Sequence, residues 1–445
     1  MGRLFGTDGI RGVAGRDLTT DLARSLGVAA VAVLGRHGVE RPIFVVGRDT
    51  RASGEMLEQA LVDGIRAGGG DALVAGVQTT PAVAFLTVDL GAAAGAVLSA
   101  SHNPPEYNGI KLFGGQGYKL PDELEDEIEA VLADGLAAGE RDAALGSVRE
   151  LPDAGERYLA HLVSAAEGRL DGMRVVVDCA NGAASAVAPE ALRRLGAEVH
   201  PLFDRPDGHN INVGCGAMHP DVVASAVARL GADAGVAHDG DADRALFADA
   251  GGTVVDGDQV LAVCALALRD NGRLPGNAVV TTVMANLGFR RSMEDAGIEV
   301  LTTKVGDRYV LEEMLRSRAA VGGEQSGHVI FLDHATTGDG LLTAIKFLTL
   351  AAARGVSVRD LASCMRRFPQ VLKNVVVTDR DALEDATDVW TAVKEAERDL
   401  GDRGRVLVRA SGTEPLVRVM VEAESEEEAA AHARAIADRV RASLG

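Results

Sequence analysis

Short apolar runs alternate with segments of helical periodicity along most of this 445-residue chain. The runs at 43–47 and 71–75 are separated by a helical pattern over 53–67, for which Ser53 is the expected N-cap. A third run, 93–98, follows another predicted helix. Strands that alternate with helices form βαβ units, so the sequence predicts α/β domains with mainly parallel sheets.

The same alternation starts again twice and then changes near Phe368. Runs at 174–178 and 234–238 indicate a second α/β unit, and runs at 278–281 and 319–324 indicate a third. Beyond them, alternating strands with helices between and after indicate a smaller α+β domain. We therefore predict three related mixed or parallel α/β sandwich domains, at 1–150, 151–255 and 256–368. A smaller C-terminal α+β domain follows at 369–445, and a linker is predicted at 132–155.

Charge and composition exclude several classes of partner. The formal net charge is −20, from 65 acidic and 45 basic residues, so nucleic acid and anionic membranes would repel the chain. The four cysteines are scattered without CxxC spacing and fit neither a zinc site nor a disulfide framework. No apolar run is long enough to cross a bilayer. We expect a cytoplasmic monomer or homodimer whose partner is a small molecule.

The run at 93–98 ends in a short polar loop, Ser-Ala-Ser-His-Asn-Pro, at 99–104. Pro104 cannot continue a strand ladder, so Ser101 and His102 are predicted at the carboxyl end of a buried strand. Open α/β sheets bind their ligands there, which makes Ser101 a candidate nucleophile. The loop lacks the GxSxG elbow of α/β-hydrolases, and the chain has neither a GxxxxGK[ST] loop nor a dinucleotide fingerprint. A nucleophilic serine that lacks this elbow and has a metal site nearby, as the next segment indicates, favours phosphoryl over acyl transfer.

Carboxylates occupy alternate positions in the segment Asp-Gly-Asp-Ala-Asp-Arg at 239–244. Hard cations need several oxygen ligands, and small spacers let Asp239, Asp241 and Asp243 fold onto one ion. An EF-hand would need Gly at its sixth position and Glu at its twelfth, where Arg244 and Ala250 stand. The alternative is a solvated acidic turn, but the position directly after a buried strand favours a divalent cation site.

A second polar loop, at 409–415, lies between two predicted strands. Arg409 precedes two hydroxyls and an exposed glycine backbone, and Arg418 follows on the next strand. Guanidinium groups and backbone N–H groups together suit a phosphate. The alternative is an ordinary hairpin turn with an arginine on its face.

A third polar loop, at 322–328, offers Glu324, Gln325 and Ser326, whose side chains suit sugar hydroxyls. His328 in the same loop has an alternative interpretation as a structural histidine, which is the commoner case for a histidine on its own. Lys111, in the segment Asn-Gly-Ile-Lys, likewise has an alternative as a surface lysine whose stem covers apolar neighbours.

These four loops, in the order in which they occur along the chain, resemble those of the α-D-phosphohexomutases, and the resemblance covers the whole chain. The segments that resemble the family's phosphoserine, metal, sugar and phosphate loops are 99–104, 239–244, 323–328 and 409–415, respectively. The opening Phe-Gly-Thr-Asp-Gly-Ile-Arg-Gly at 5–12, Gln325 and the segment 207–216 are similar to the branch that isomerises glucosamine phosphates. Two positions depart from that branch: Ser99 replaces a frequent Thr, and Ala-Met-His at 217–219 replaces an expected Ser-Thr-His.

The resemblance implies a central cleft in which Ser101 is carried as phosphoserine and glucosamine 1,6-bisphosphate is the intermediate. It implies Mg²⁺ held by Asp239, Asp241, Asp243 and a phosphate oxygen on Ser101. Lys111 and His328 become candidates for the acid and base, with Arg11 and His102 supporting charge. The residues implied in binding the phosphosugar substrate are Arg244, Glu324, Ser326, Arg409, Ser411, Gly412, Thr413 and Arg418.

Three alternatives stay open at this point. A phosphomannomutase or phosphoglucomutase of the same family would share all four loops and differ in how the sugar loop reads the C2 substituent. A non-catalytic sugar-phosphate sensor would need the arginines of the phosphate loop but not Ser101 with three aspartates. A metal phosphatase would release free phosphate.

Overall fold

The computed structural model describes residues 4–6, 8–134, 144–411 and 415–445. The chain forms two compact units. The first comprises Met1–Val283 and Glu299–Ser363, and the second comprises Met284–Ile298 and Cys364–Gly445.

The first sheet of the first unit is mixed, with strand order β1-β5-β4-β2-β3-β6. Its strands are β1 (Ile10–Val13), β2 (Ile43–Arg48), β3 (Asp71–Val77), β4 (Ala94–Leu98), β5 (Tyr107–Gly114) and β6 (Val148–Glu150). The accompanying helices are α1 (Thr20–Arg36), α2 (Gly54–Ala67), α3 (Thr80–Asp89) and α4 (Asp122–Ala133). β2 pairs parallel with β3 and β4, whereas β5 pairs antiparallel with β4 and β1.

The second sheet of this unit has the order β11-β10-β9-β7-β8. Its strands are β7 (Arg174–Asp178), β8 (Glu198–Leu202), β9 (Ala234–His238), β10 (Ala245–Asp249) and β11 (Val254–Val255), and its helices are α5 (Ala154–Ser164), α6 (Ala184–Arg194) and α7 (Pro220–Leu230). β9 pairs parallel with β7 and antiparallel with β10, so this sheet is mixed as well.

The third sheet has the order β13-β12-β14-β15, with β14 and β15 antiparallel. The elements of this part of the chain are α8 (Gly257–Asp270), β12 (Ala278–Thr282), α9 (Leu287–Asp295), β13 (Glu299–Thr303), α10 (Asp307–Ser317), β14 (Val321–Gly323), β15 (Val329–Phe331), α11 (Gly340–Arg354) and α12 (Val358–Ala362). Of these, α9 belongs to the second compact unit.

The second unit contains an antiparallel sheet in the order β16-β18-β17. Its remaining elements are β16 (Gln370–Val376), α13 (Thr387–Leu400), β17 (Arg405–Ala410), β18 (Leu416–Glu422) and α14 (Glu426–Leu444). Alternate residues Val417, Val419 and Val421 of β18 are buried in one apolar cluster with the inner face of α14. α14 begins at a capping Ser425, whose side chain accepts from the Glu428 amide. The predicted smaller α+β domain is confirmed.

The strands that lead to the polar segments at 99–104 and 239–244 are buried along their whole length. All residues of β4 and all residues of β9 are buried. Strands covered on both faces read as continuous runs of small and branched apolar residues rather than as an alternation. This is why both strands were recognisable in the sequence.

Two expectations need correction. The Ser53 side chain does not cap α2; its Oγ accepts from Asn108 Nδ2 at 3.0 Å instead. The linker predicted at 132–155 is wrong in part, because β6 pairs parallel with β3 inside the first sheet. Residues 135–143 of that linker lie outside the described residues. Among the helices of the described residues, we find none with the length and apolar character that a membrane crossing requires.

Helices α1 and α2 pack so closely that side chains are excluded at two glycines. A Cβ on Gly64 would collide with the carbonyl of Arg24, and one on Gly27 would collide with the carbonyl of Leu61. We expect Gly64→Ala to lower the free energy of unfolding by about 1–3 kcal/mol, because backbone atoms must separate to admit the methyl group. A lower urea midpoint in a circular dichroism titration would show this.

Gly155, near the start of α5, is a matched control for Gly64→Ala. The nearest atom to a Cβ there is Gln78 Nε2, at 3.8 Å. Gly155→Ala should leave the midpoint unchanged or raise it slightly, since alanine favours helix. Equal midpoints for the two variants would contradict the close packing of α1 on α2.

Candidate active site

Ser101 lies in the loop that follows β4 and is buried. Its Oγ donates to Asp239 Oδ2 at 2.7 Å, and His102 Nδ1 lies 3.3 Å from the same Oγ. The backbone of Ser101 has φ 51°, in the left-handed region. A residue with a side chain adopts that conformation at a cost of about 1–3 kcal/mol, so the surroundings must hold it.

The contacts that hold Ser101 in this conformation involve residues that directly follow β2. The Ser101 amide donates to Ser99 Oγ at 2.9 Å, and Ser99 Oγ donates to Asp49 Oδ2 at 2.6 Å. Arg51, also buried, donates to backbone carbonyls of the Ser101 loop. Sequence analysis missed Asp49 and Arg51. The available signal was two charged residues directly after a buried strand that neighbours β4.

Asp239, Asp241 and Asp243 follow β9 and are all buried, which excludes the solvated acidic turn. Each offers one ligand atom, and these atoms lie within 4.8 Å of one another. Burial and the charges of Asp243 and Asp241 raise the pKa of Asp239 well above its usual value. The Oδ1 atoms of Asp241 and Asp243 are buried and have no hydrogen-bond partner among the described residues. Such a set of oxygens fits a hard divalent cation such as Mg²⁺.

Lys111 lies on β5, which places its buried ammonium group beside the aspartates. Its Nζ lies 3.0 Å from Asp241 Oδ2, 3.1 Å from Asp8 Oδ2 and 3.7 Å from Asp243 Oδ2. Burial alone would lower the pKa of Lys111, but the charges of Asp241 and Asp8 raise it. Lys111 is therefore a buried, paired cation and not a surface lysine.

His328 is the last residue of the third polar loop and faces the same carboxylates. Its Nδ1 lies 3.6 Å from Asp243 Oδ2. Burial alone would lower the pKa of His328, but Asp243, Asp307 and Glu324 raise it to about 9. The Gly338 amide donates to Nε2 at 3.1 Å, a contact that opposes a second proton on the ring. The charge of Asp243 and the amide of Gly338 therefore both favour a proton on Nδ1, the ring nitrogen that faces Asp243.

The sugar loop keeps two polar atoms without partners. Ser326 Oγ and Gln325 Nε2 are buried and have no hydrogen-bond partner among the described residues. Glu324 accepts from the Gly306 amide at 3.3 Å, and burial raises the pKa of its carboxyl. Arg244 Nε lies 3.7 Å from Asp243 Oδ1. The loop therefore has two polar groups whose hydrogen-bonding capacity no other described residue uses.

Arg11 and His102 complete the predicted set in the first unit. Arg11 pairs with Asp8, the same carboxylate that contacts Lys111. Burial, together with the charges of Arg244 and Arg11, lowers the pKa of His102 to about 4, so its ring is neutral at pH 7. Among the described residues, linked contacts run from Ser101 through the aspartates to Lys111, Arg244 and His328.

Sequence analysis also missed an ion-pair chain beside this cluster. Lys119 Nζ lies 2.5 Å from both Asp8 Oδ1 and Asp307 Oδ2, and Asp307 Oδ2 lies 3.8 Å from His328 Nε2. These residues are far apart in the chain. Asp8 lies in the opening segment 5–12, but no sequence signal connects it with Lys119 or Asp307.

In the second unit, Arg409 of β17 and Arg418 of β18 stand directly opposite each other. Like charges at such positions destabilise a sheet unless an anion lies between them. Burial and the charge of Arg418 lower the pKa of Arg409. The Ser411 amide donates to the Leu416 carbonyl at 2.9 Å. Gly412 and Thr413, predicted in the same phosphate loop, lie outside the described residues.

Four family models of the phosphoglucomutase/phosphomannomutase type match the chain. They describe alpha/beta/alpha domain I over residues 2–137, domain II over 156–252, domain III over 256–368 and the C-terminal domain over 372–439. The chain belongs to the phosphoglucomutase/phosphomannomutase family. The predicted α/β fold with three related domains and a smaller C-terminal domain is confirmed.

Curated relatives narrow the family to one branch. The phosphoglucosamine mutase of Thermobifida fusca is 54% identical over 446 residues, covering 100% of this chain and 99% of the relative. That of Streptomyces griseus is 54% identical and covers 100% of both chains. The chain is therefore an isomerase of this family, similar throughout its length to bacterial phosphoglucosamine mutases.

Solved structures show the same fold. A phosphoglucomutase/phosphomannomutase family protein from Burkholderia thailandensis superimposes with a TM-score of 0.83 at 26% identity, covering 99% of this chain and 97% of the other. An N-acetylphosphoglucosamine mutase from Aspergillus fumigatus, solved with GlcNAc-6P and magnesium, gives a TM-score of 0.69 at 20% identity, covering 99% and 96%.

We expect Asp241→Asn to weaken divalent cation binding at least about tenfold, because it removes one charge from a set of three ligands. Binding of Mn²⁺, followed by the loss of its free electron paramagnetic resonance signal, measures this directly. Asp249→Asn is the control, since Asp249 also ends a strand of the second sheet but pairs with Arg359. Unchanged Mn²⁺ affinity in Asp241→Asn would contradict the cation site.

Proposed function

We propose that the protein interconverts glucosamine 6-phosphate and glucosamine 1-phosphate through a phosphoserine at Ser101. The observation that carries this proposal is the 2.7 Å contact of Ser101 Oγ with Asp239, inside a buried carboxylate cluster flanked by Lys111 and His328. A nucleophile at a cation site with buried proton donors suits phosphoryl transfer, which depends on positioning and charge neutralisation. The 54% identity to phosphoglucosamine mutases supports the amino sugar as substrate.

In the first transfer, the bond between Ser101 Oγ and phosphorus breaks as phosphorus bonds to the C1 oxygen of glucosamine 6-phosphate. The proton of the C1 hydroxyl passes to a group of the site, and the product is glucosamine 1,6-bisphosphate. After the bisphosphate turns over, its C6 phosphoryl group returns to Ser101 Oγ. The C6 oxygen then takes up a proton, and glucosamine 1-phosphate leaves with no net change in phosphate.

Lys111 and His328 are the proposed acid and base. Both lie beside the aspartates, and the surrounding carboxylates favour the protonated form of each, which supports the role of acid. The one that acts as base must give up its proton before the transfer, so that it can accept the proton of the C1 hydroxyl. Arg11 and Arg244 add positive charge, while His102, neutral at pH 7, can donate or accept a hydrogen bond at Ser101 Oγ. Asp239, Asp241 and Asp243 would hold Mg²⁺ together with a phosphate oxygen of Ser101, and the ion supplies charge neutralisation for the transferring group.

The remaining residues are proposed to bind the substrate. Glu324 and Ser326 would bond the sugar hydroxyls, which the unpartnered Ser326 Oγ supports. Arg409 and Arg418 would grip the phosphate that does not react, supported by their direct opposition across β17 and β18. Ser411, Gly412 and Thr413 would complete that phosphate loop. The domain limits at 150, 255 and 368 are part of the same proposal, as are a cytoplasmic location and a product destined for UDP-N-acetylglucosamine and the cell wall.

The first test is ³¹P NMR of glucosamine 6-phosphate with the protein, Mg²⁺ and a trace of glucosamine 1,6-bisphosphate. We expect a 1-phosphate resonance that grows fastest from the amino sugar and is absent with Ser101→Ala, which lacks the phosphoryl acceptor. Glucose 6-phosphate and mannose 6-phosphate run in parallel. Faster conversion of either would keep the mechanism and replace the substrate.

Two other outcomes would reject the mutase. Free phosphate as the main product would favour a metal phosphatase. A folded protein that makes neither product but binds the sugar phosphate would favour a sensor.

We expect Arg418→Ala to raise the KM for glucosamine 6-phosphate at least about tenfold, because a guanidinium contact to a phosphate is lost. Steady-state kinetics with the same primer measure it, and the circular dichroism spectrum should not change. Arg403→Ala is the control, since Arg403 lies in the same unit, is exposed and pairs with Glu428. An unchanged KM would remove Arg418 from the binding site.

A further inference from the structure

Two charged residues at the end of β2 hold the loop that carries the nucleophile. We propose that Asp49 and Arg51 are positioning residues for phosphoryl transfer, which fix Ser101 Oγ against the aspartate cluster without touching the substrate. This inference rests on the proposed role of Ser101 and extends it to a segment that the reaction itself does not use.

Arg51 is 1% exposed, and all three of its guanidinium nitrogens are engaged. Nη2 donates to the carbonyls of Ser101 at 3.0 Å and Asn103 at 2.8 Å. Nη1 donates to the carbonyl of Tyr107 at 2.9 Å and also to that of Pro104. One side chain thus binds four carbonyls along the loop from 101 to 107, which only the planar, multiply donating guanidinium can do.

Asp49 connects this guanidinium to the backbone of the nucleophile. Its Oδ2 accepts from Arg51 Nε at 2.9 Å and from Ser99 Oγ at 2.6 Å. Ser99 Oγ in turn accepts from the Ser101 amide at 2.9 Å. The amide and the carbonyl of Ser101 are therefore both held by the same buried ion pair, one through Ser99 and one through Arg51.

These contacts to the amide and the carbonyl of Ser101 stabilise its left-handed backbone conformation. A serine with φ 51° returns to an ordinary backbone region unless several contacts oppose it. Asn212, which precedes α7 in the second α/β part of the chain, adds a further donor: its Nδ2 lies 2.8 Å from the Ser101 carbonyl and 3.1 Å from the Asn103 carbonyl. Donors from two separate loops, one after β2 and one between β8 and α7, thus converge on the carbonyls beside the nucleophile.

A purely structural role is the alternative, and it makes a different prediction. Loss of a structural contact lowers stability but leaves the folded enzyme with its normal kcat. Loss of a positioning contact lowers kcat at nearly constant KM, because the substrate still binds while the nucleophile is misplaced. A displacement of about 1 Å at a reacting atom is enough for a loss of about 100-fold.

The experiment compares Ser99→Ala and Arg51→Lys with a matched control, Arg48→Lys. Arg48 is the last residue of β2, shortly before Arg51, is partly buried and forms an ion pair with Glu58. Dephosphorylated protein is mixed with glucosamine 1,6-bisphosphate and Mg²⁺, and the rate of Ser101 phosphorylation is followed by intact mass. Steady-state kcat and KM are measured alongside, and circular dichroism confirms folding.

We expect kcat and the phosphorylation rate to fall about tenfold in Ser99→Ala and about 100-fold in Arg51→Lys, with KM within about twofold of the wild-type value. Arg48→Lys should keep both rates. Normal rates in folded Ser99→Ala, an equal loss in Arg48→Lys, or a raised KM at normal kcat would each overturn the inference. If Arg51→Lys fails to fold, Ser99→Ala decides alone.

The two proposals fail in distinguishable ways. If the wild type makes no 1-phosphate, the proposed function fails and the positioning role falls with it. If the wild type is active and Ser101→Ala is not, while Ser99→Ala and Arg51→Lys keep full kcat, then only the positioning role is wrong.

Discussion

Mutual repulsion among Asp239, Asp241 and Asp243 is the constraint around which the first unit is arranged. Three carboxylates buried in one short loop are costly unless positive charge surrounds them. The chain supplies that charge from separate strands and loops, through Lys111 and Arg244 among others. In a protein with 65 acidic and 45 basic residues, these cations lie directly beside the buried carboxylates. The Oδ1 atoms of Asp241 and Asp243, which have no hydrogen-bond partner among the described residues, fit a divalent cation as a further source of positive charge.

The fold meets this constraint by bringing strand ends together, and that part was predictable. β4, β9 and β14 are buried, and each runs directly into a polar loop, so hydropathy and the abrupt change in polarity marked all three. The strand β5 was not recognised. Buried Asn108 and Lys111 interrupt its apolar pattern, because both are paired inside the protein rather than exposed to water. Hydropathy does not identify a buried strand when its polar residues form their hydrogen bonds and ion pairs through tertiary contacts.

The supporting residues escaped the sequence for a related reason. Asp8, Lys119 and Asp307 form one ion-pair chain, although the paired residues are 111 positions apart in the first pair and 188 in the second. Asp49 and Arg51 looked like ordinary polar residues after a strand, and only the neighbouring position of β4 gives them a function. The chemical groups of the site form recognisable motifs because the residues of each loop are neighbours in the sequence. The groups that orient them are set by topology, and one sequence without its fold does not contain that information in readable form.

The contact between Ser101 and Asp239 has a consequence for the proposed phosphoenzyme. With a free hydroxyl, Ser101 Oγ donates to Asp239 and removes some of the repulsion within the cluster. A phosphoryl group on the same oxygen cannot donate and brings negative charge towards carboxylates that already repel one another. The phosphorylated state therefore depends more strongly on a bound cation, and on Lys111 and Arg244, than the free hydroxyl state does. By thermodynamic linkage, cation binding must then favour phosphorylation of Ser101 to the same extent that phosphorylation favours cation binding.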